Sequence, residues 1–197
     1  MKAPLFLLRH ARPLIAKGLC YGQLDIPADH AHTLSSAQAM AQQLRQAGFP
    51  QVQLVASPLR RCQQLAHALS HELHTYNIPH HWHSDTRLQE MDFGVWEGLP
   101  WSTIALDAWQ AWTADFAHFR VGETGESVAQ LMARVHHALQ TPRHLPTVWI
   151  THDGVIKSVQ LLQQQRQPQQ ASDWPRTGCA YGQSWCCTSE LLGRAAR

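Results

Sequence analysis

Residues 5–13 read LFLLRHARP: four apolar residues end in an arginine and a histidine, followed by a small residue and then a proline one position beyond Arg12. The run from 3 to 9 has the length and composition of a buried strand. A buried strand that stops on two nitrogen-rich side chains delivers them to one place, the crevice beyond a sheet edge.

The same pattern recurs twice further along the chain. QVQLVAS (51–57) reads as a second strand and ends in Ser57, Pro58, Leu59, Arg60 and Arg61. TVWIT (147–151) reads as a third and runs into His152, Asp153 and Gly154. Each is followed by a helical pattern. Pro58 suits a first helical turn before LRRCQQLAHALSHELH, and GVIKSVQLLQQQ begins directly after the third strand. A further helix is expected over 33–47, with Gly48 as its stop and Pro50 just beyond. Another is expected over 106–118, carrying Trp109, Trp112 and Phe116, and one over 126–140, capped by Ser127 or Thr124. Residues 14–32 read as loop, 80–105 as the least regular part, and YGQSWCC (181–187) as a last strand. CYGQ (20–23) echoes AYGQ (180–183), too short a match to count as a repeat.

Alternating strands and helices predict an α/β fold: a three-layer arrangement with a mostly parallel central sheet and helices on both faces. In that fold the three strand ends meet at one edge. Arg9, His10, Arg61 and His152 then gather there, and helix N-termini add free N–H groups. Concentrated buried positive charge is costly without an anion to compensate it, and the planar guanidinium fork matches phosphate oxygens.

Bulk properties bound the alternatives. The chain has 197 residues, 44% hydrophobic and 15% charged, a globular composition of single-domain size. A formal net charge of +2 gives no argument for nucleic acid or an anionic membrane as partner. No apolar run is long enough to span a bilayer, and the N-terminal run is too short for a signal peptide, so a cytoplasmic location is expected. Five cysteines without paired metal-ligand spacing read as reduced thiols. Fourteen histidines include His80, His81 and His83 in PHHWHSD, which read as a polar loop, with a metal site as the less favoured alternative.

Four linked motifs resemble those of the histidine phosphatase superfamily, also called phosphoglycerate mutase-like. Arg9-His10-Ala11 stands where the family has R-H-G, and SPLRRC places Ser57 and Arg61 in S-x-x-x-R-A, with Cys62 for the alanine. LQEMDFGVWEG (88–98) matches L-x-E-x-x-F-G-x-W-E-G throughout, and Thr151-His152-Asp153-Gly154 corresponds to a small residue and H-G-G. The resemblance implies one histidine phosphatase domain over 1–197, with a cap-like insertion at about 92–125.

It also implies roles. His10 resembles the nucleophile that becomes phosphorylated, and Glu90 the proton donor to the leaving oxygen. Arg9, Arg61 and His152 resemble the groups that hold the phosphoryl oxygens, and Gln23 is placed to reach the phosphate or its ester oxygen. The implied chemistry requires no metal and no cofactor. The implied activity is that of a metal-independent phosphomonoesterase, a phosphoric monoester hydrolase of the histidine acid phosphatase type. Its substrate would be a small phosphorylated metabolite. CYGQLDIPA (20–28) is similar to the loop of α-ribazole-5′-phosphate phosphatases of cobalamin synthesis. The alternatives are a phosphoglycerate mutase-type phosphotransferase and a non-catalytic phospholigand-binding module. Ala16, where mutases carry Asn, favours water as the acceptor. Ala11 and Asp153 replace family glycines, which bears on turnover. Glu97 reads as structural, and aromatics within 92–125 read as stacking groups for a flat base or as packing.

Overall fold

The computed structural model describes residues 3–187. Its sheet has five strands: β1 (Leu5–Arg9), β2 (Val52–Ala56), β3 (His80–Ser84), β4 (Thr147–Thr151) and β5 (Ser184–Cys187). Their spatial order is β3-β2-β4-β1-β5, with the first four parallel and β5 antiparallel at one edge. The helices are α1 (His30–Gln46), α2 (Arg60–Thr75), α3 (Leu106–Ala114), α4 (Val128–Gln140) and α5 (Asp153–Gln163), with short 3₁₀ turns between them. The expected α/β architecture is the observed one.

Strand alternation divides the core between the two faces. Leu5, Leu7, Val55 and Trp149 point into a cluster with Leu131, Val135, Val155 and Val159 of α4 and α5. Phe6, Leu8, Leu54, Val148 and Ile150 point the other way, toward Met40, Leu44, Leu65 and Leu69 of α1 and α2. Both faces of β1 and β4 are therefore covered, so these strands are apolar throughout rather than alternating with polar residues.

The structure corrects three expectations. PHHWHSD is not a loop: His80–Ser84 pairs in parallel with β2 as an edge strand. One face of it is anchored, with His80 beside the Ser70 hydroxyl and Trp82 against the His67 ring, while His81 and His83 are exposed. An edge strand with one solvated face has no continuous apolar run to betray it. Helix α1 begins three residues earlier than expected, because the Asp29 carboxylate accepts from the His32 N–H and caps it. Helix α3 stops at Ala114, and turns at 115–118 and 121–124 follow instead. Ser127 caps α4, in a reciprocal pair with Gln130.

No helix among the described residues is long and apolar enough to cross a membrane.

Candidate active site

Strand register assembles the site. Arg9 pairs with Thr151 across β1 and β4, and the His10 N–H donates to the Thr151 carbonyl at 3.0 Å. Ser57 leaves β2 with its N–H on the Ile150 carbonyl at 2.9 Å. These pairings bring His10, Ser57 and His152 to the same level of the sheet edge. The His10 and His152 rings lie 5.0 Å apart, and Arg61, in the first turn of α2, reaches between them.

Hydrogen bonds define the state of both imidazoles. His10 Nδ1 lies 2.7 Å from the Ala11 carbonyl, which only accepts, so Nδ1 carries the proton. Its Nε2 therefore presents a lone pair, which accepts from Arg61 Nε at 3.3 Å. His152 Nδ1 accepts from Arg61 Nη2 at 3.2 Å, leaving Nε2–H to donate to the Ser57 hydroxyl at 2.9 Å. Burial holds the pKa of His10 well below the usual histidine range, and the Arg61 charge adds to this. Burial, then Arg61, does the same to His152. Both rings are neutral near pH 7, so His10 Nε2 is a competent nucleophile.

Arg61 is fully buried, yet no carboxylate lies within ion-pair distance of it among the described residues. Its remaining bonds go to the carbonyls of Leu24 (2.8 Å) and Gly22 (2.6 Å). Neutral partners satisfy its N–H groups and leave its charge uncompensated, the arrangement expected of a phosphate receptor.

Arg9 is less free. It donates to the Cys179 carbonyl at 2.6 Å, lies 3.4 Å from an Asp153 oxygen, and stacks against the Tyr181 ring at 4.0 Å. Its Nε is buried without a partner.

Glu90 faces this group from the loop before Met91. Its two oxygens accept from the N–H groups of Met91 (3.0 Å) and Gly154 (3.2 Å). Burial nevertheless pushes its pKa up from the ordinary carboxylate value, against the pull of those two N–H groups and of Arg61. A carboxyl whose hold on its proton is strengthened by burial is suited to general-acid chemistry on a leaving oxygen. Gly154 makes the approach possible, because a Cβ there would collide with the Glu90 carboxylate.

The four motif residues meet at the predicted edge. Gln23 turns its side-chain amide to the Glu90 backbone, donating to the Glu90 carbonyl at 3.1 Å. Glu97 ties the same loop down by accepting from the N–H groups of Gln23 (2.7 Å) and Phe93 (3.1 Å). Ala11 has no positive φ, so its methyl in place of the family glycine brings no backbone strain. The Cys62 thiol, 3.4 Å from His152, is pushed up to about 12 by burial and stays protonated.

Several residues of the site were not anticipated. Arg134 on α4 donates to the carbonyls of Arg87, Gln89 and Glu90 and pairs bidentately with Glu126, clamping the Glu90 loop. A basic residue in mid-helix carries no sequence signal for this, whereas GETGES (122–127), which holds Glu126, resembles the family's G-x-E-S turn, a polar loop that comes back over the active site. Tyr21 and Tyr181 join hydroxyls at 2.7 Å, and the Tyr181 ring lies 5.5 Å from that of His10. With this cover in place His10 is only 1% exposed.

A cavity of about 320 Å³ opens against Arg9, Tyr21, Gly22 and Glu90. Its far walls are Phe93, Trp101, Trp112, Phe116 and Trp174, and Asp153 and Lys157 stand at its side. Trp109 packs on Trp101 and Trp112 behind that wall instead of lining it.

The model of the histidine phosphatase superfamily (branch 1) matches residues 5–182. The chain belongs to this superfamily. Solved structures agree. A mycobacterial glucosyl-3-phosphoglycerate phosphatase complexed with VO3 is 26% identical, with a TM-score of 0.70 over 93% of this chain and 92% of that one. Mycobacterial hydrolase 2 is 25% identical, with a TM-score of 0.72 over 94% and 82%. TTHB049 from Thermus thermophilus, at 23% identity and a TM-score of 0.64, shares the fold over 93% and 92%. No curated protein sequence matches the chain. Superfamily membership and phosphatase neighbours support a phosphoric monoester hydrolase.

Proposed function

We propose that the protein is a phosphomonoesterase working through a phosphohistidine at His10 Nε2, on a small metabolite whose leaving group carries a flat aromatic ring. One observation carries the chemistry: an uncompensated, fully buried Arg61 is aimed at the lone pair of a neutral His10.

In the first half-reaction Nε2 attacks phosphorus and the ester P–O bond breaks. The leaving oxygen takes the proton of Glu90. Arg9, Arg61 and His152 hold the phosphoryl oxygens and stabilise the charge that spreads over them. In the second half, water attacks the phosphohistidine, the Glu90 carboxylate takes its proton, and phosphate leaves as neutral His10 is restored. Because His10 is covered, a phosphoryl group reaches it only when the 20–24 loop lifts, exchanging the Gly22 and Leu24 carbonyls on Arg61 for phosphate oxygens.

Glu90 lines the aromatic cavity, and a leaving group that takes the Glu90 proton would occupy that cavity. Its tryptophan and phenylalanine walls suit an aromatic base better than a bare sugar. Together with the similarity of CYGQLDIPA to α-ribazole phosphatase loops, this makes α-ribazole 5′-phosphate the leading candidate and cobalamin synthesis the leading pathway. Phosphate release from it is measured in EDTA beside p-nitrophenyl phosphate and 3-phosphoglycerate, with wild type and His10→Ala. A kcat/KM well above both comparators, lost in the variant, supports the assignment. Release at only the generic rate keeps the chemistry and removes the substrate. No release from any ester removes the phosphatase reading.

A further inference from the structure

Two cations line the leaving-group cavity, Arg9 and Lys157, and one carboxylate holds both. Asp153 Oδ2 pairs with Lys157 Nζ at 2.9 Å, and Oδ1 lies 3.4 Å from Arg9 Nη1. The protein makes room for this carboxylate: a Cβ at Gly178 would collide with both Asp153 oxygens. Oδ1 is buried and accepts no hydrogen bond from the described residues. Burying an under-solvated carboxylate next to an anion-binding pocket is unfavourable for holding the fold and for binding phosphate alike. The pair Asp153–Lys157, four residues apart in the first turns of α5, spans the side of the cavity between Glu90 and Trp174.

A leaving group that bears its own carboxylate needs a free cation here. Among the described residues it finds none: Lys157 and Arg9 are engaged, and Asp153 opposes it. A neutral aromatic leaving group meets no such opposition and gains the tryptophan walls.

We propose that Asp153 is a specificity-determining residue that makes the cavity reject esters with a carboxylated leaving group and favour neutral aromatic ones. This rests on the phosphatase reading and on the leaving group occupying the cavity. It places the substrate apart in chemical class from phosphoglycerate-type esters.

The test compares kcat/KM for 3-phosphoglycerate with that for 1-naphthyl phosphate, in EDTA, for wild type, Asp153→Asn, and Asp153→Asn combined with Lys157→Met. The isosteric amide keeps the space filled while releasing Lys157 to pair with a substrate carboxylate. The ratio is expected to shift toward 3-phosphoglycerate by about tenfold or more, the scale of one charge-assisted hydrogen bond. The double variant is expected to lose that gain. A misfolded or loosened variant would lower both values together and leave the ratio alone. A ratio within twofold of wild type in an Asp153→Asn enzyme that keeps its kcat/KM for 1-naphthyl phosphate overturns the proposal. Calorimetric binding of both esters to His10→Ala, with and without Asp153→Asn, reads the same preference without turnover. Should wild type hydrolyse neither ester, the affinity ratio alone decides the role of Asp153, and the phosphatase reading is decided separately by release from α-ribazole 5′-phosphate and p-nitrophenyl phosphate.

Discussion

Replacing Glu90 with Gln removes the transferable proton and keeps the shape. Gln has one carbonyl oxygen where Glu90 has two acceptors, so one of the Met91 and Gly154 N–H groups loses its partner, at a cost of about 1–2 kcal/mol in stability. The catalytic effect is larger and depends on substrate. General-acid catalysis contributes roughly 10²–10⁴-fold, or about 2.7–5.4 kcal/mol of barrier. An alkyl ester such as α-ribazole 5′-phosphate leaves as a strongly basic alkoxide and should lose all of that. p-Nitrophenyl phosphate leaves as a stable phenolate and should lose far less. The pH profile supplies the sign. Glu90 must be protonated in the first half-reaction, so wild-type kcat/KM for the alkyl ester falls as pH rises through its raised pKa. On the acid side it falls only where His10 protonates, well below the ordinary histidine value. The variant should lose the alkaline limb and keep the acid one. Steady-state kinetics over pH on both esters is the assay. Equal losses on the two substrates, or an unchanged alkaline limb, refute this role for Glu90.

Stability should also depend on pH. His10 and His152 are depressed when folded, so between their folded values and about 6.5 the unfolded chain binds two more protons, and stability falls by about 2.7 kcal/mol per pH unit as pH drops. Urea midpoints between pH 7.5 and 5.5 measure this, and inorganic phosphate should oppose the loss. Arg134→Met frees the Glu90 loop and strands the Glu126 carboxylate, costing about 2–3 kcal/mol at this partly exposed site, with a larger fall in kcat than rise in KM. Gly154→Ala drives a methyl into the Glu90 carboxylate and should lower kcat/KM by about 100-fold with α5 intact by circular dichroism.

The ends of β1, β2 and β4 were legible because buried parallel strands are continuous apolar runs, and any polar residue closing one stands out. Arg9, His10, Arg61 and His152 were found that way, before the motif resemblance gave them roles. β3 was not legible: HHWHS has one anchored face and one wet face, and its strand identity comes from pairing with β2, a tertiary fact. Glu90 was recovered by motif alone, since nothing local distinguishes it from Glu97, which turns out to brace the loop. The Arg134 clamp joins residues more than forty apart in sequence, and the Tyr21–Tyr181 contact joins residues 160 apart, where periodicity carries no information. Gln23 is named from its loop motif alone, and where its side chain goes, onto the Glu90 backbone, is again a tertiary fact.

The central claim is a covalent intermediate on His10 Nε2. Enzyme mixed with p-nitrophenyl phosphate in EDTA is quenched in alkali, where phosphohistidine survives, and examined by ³¹P NMR and peptide mass spectrometry. One acid-labile phosphoryl group on Nε2 of His10 is expected, formed as fast as p-nitrophenol is released and absent in His10→Ala. Turnover without that species, or with the phosphoryl group on another residue, would contradict the claim.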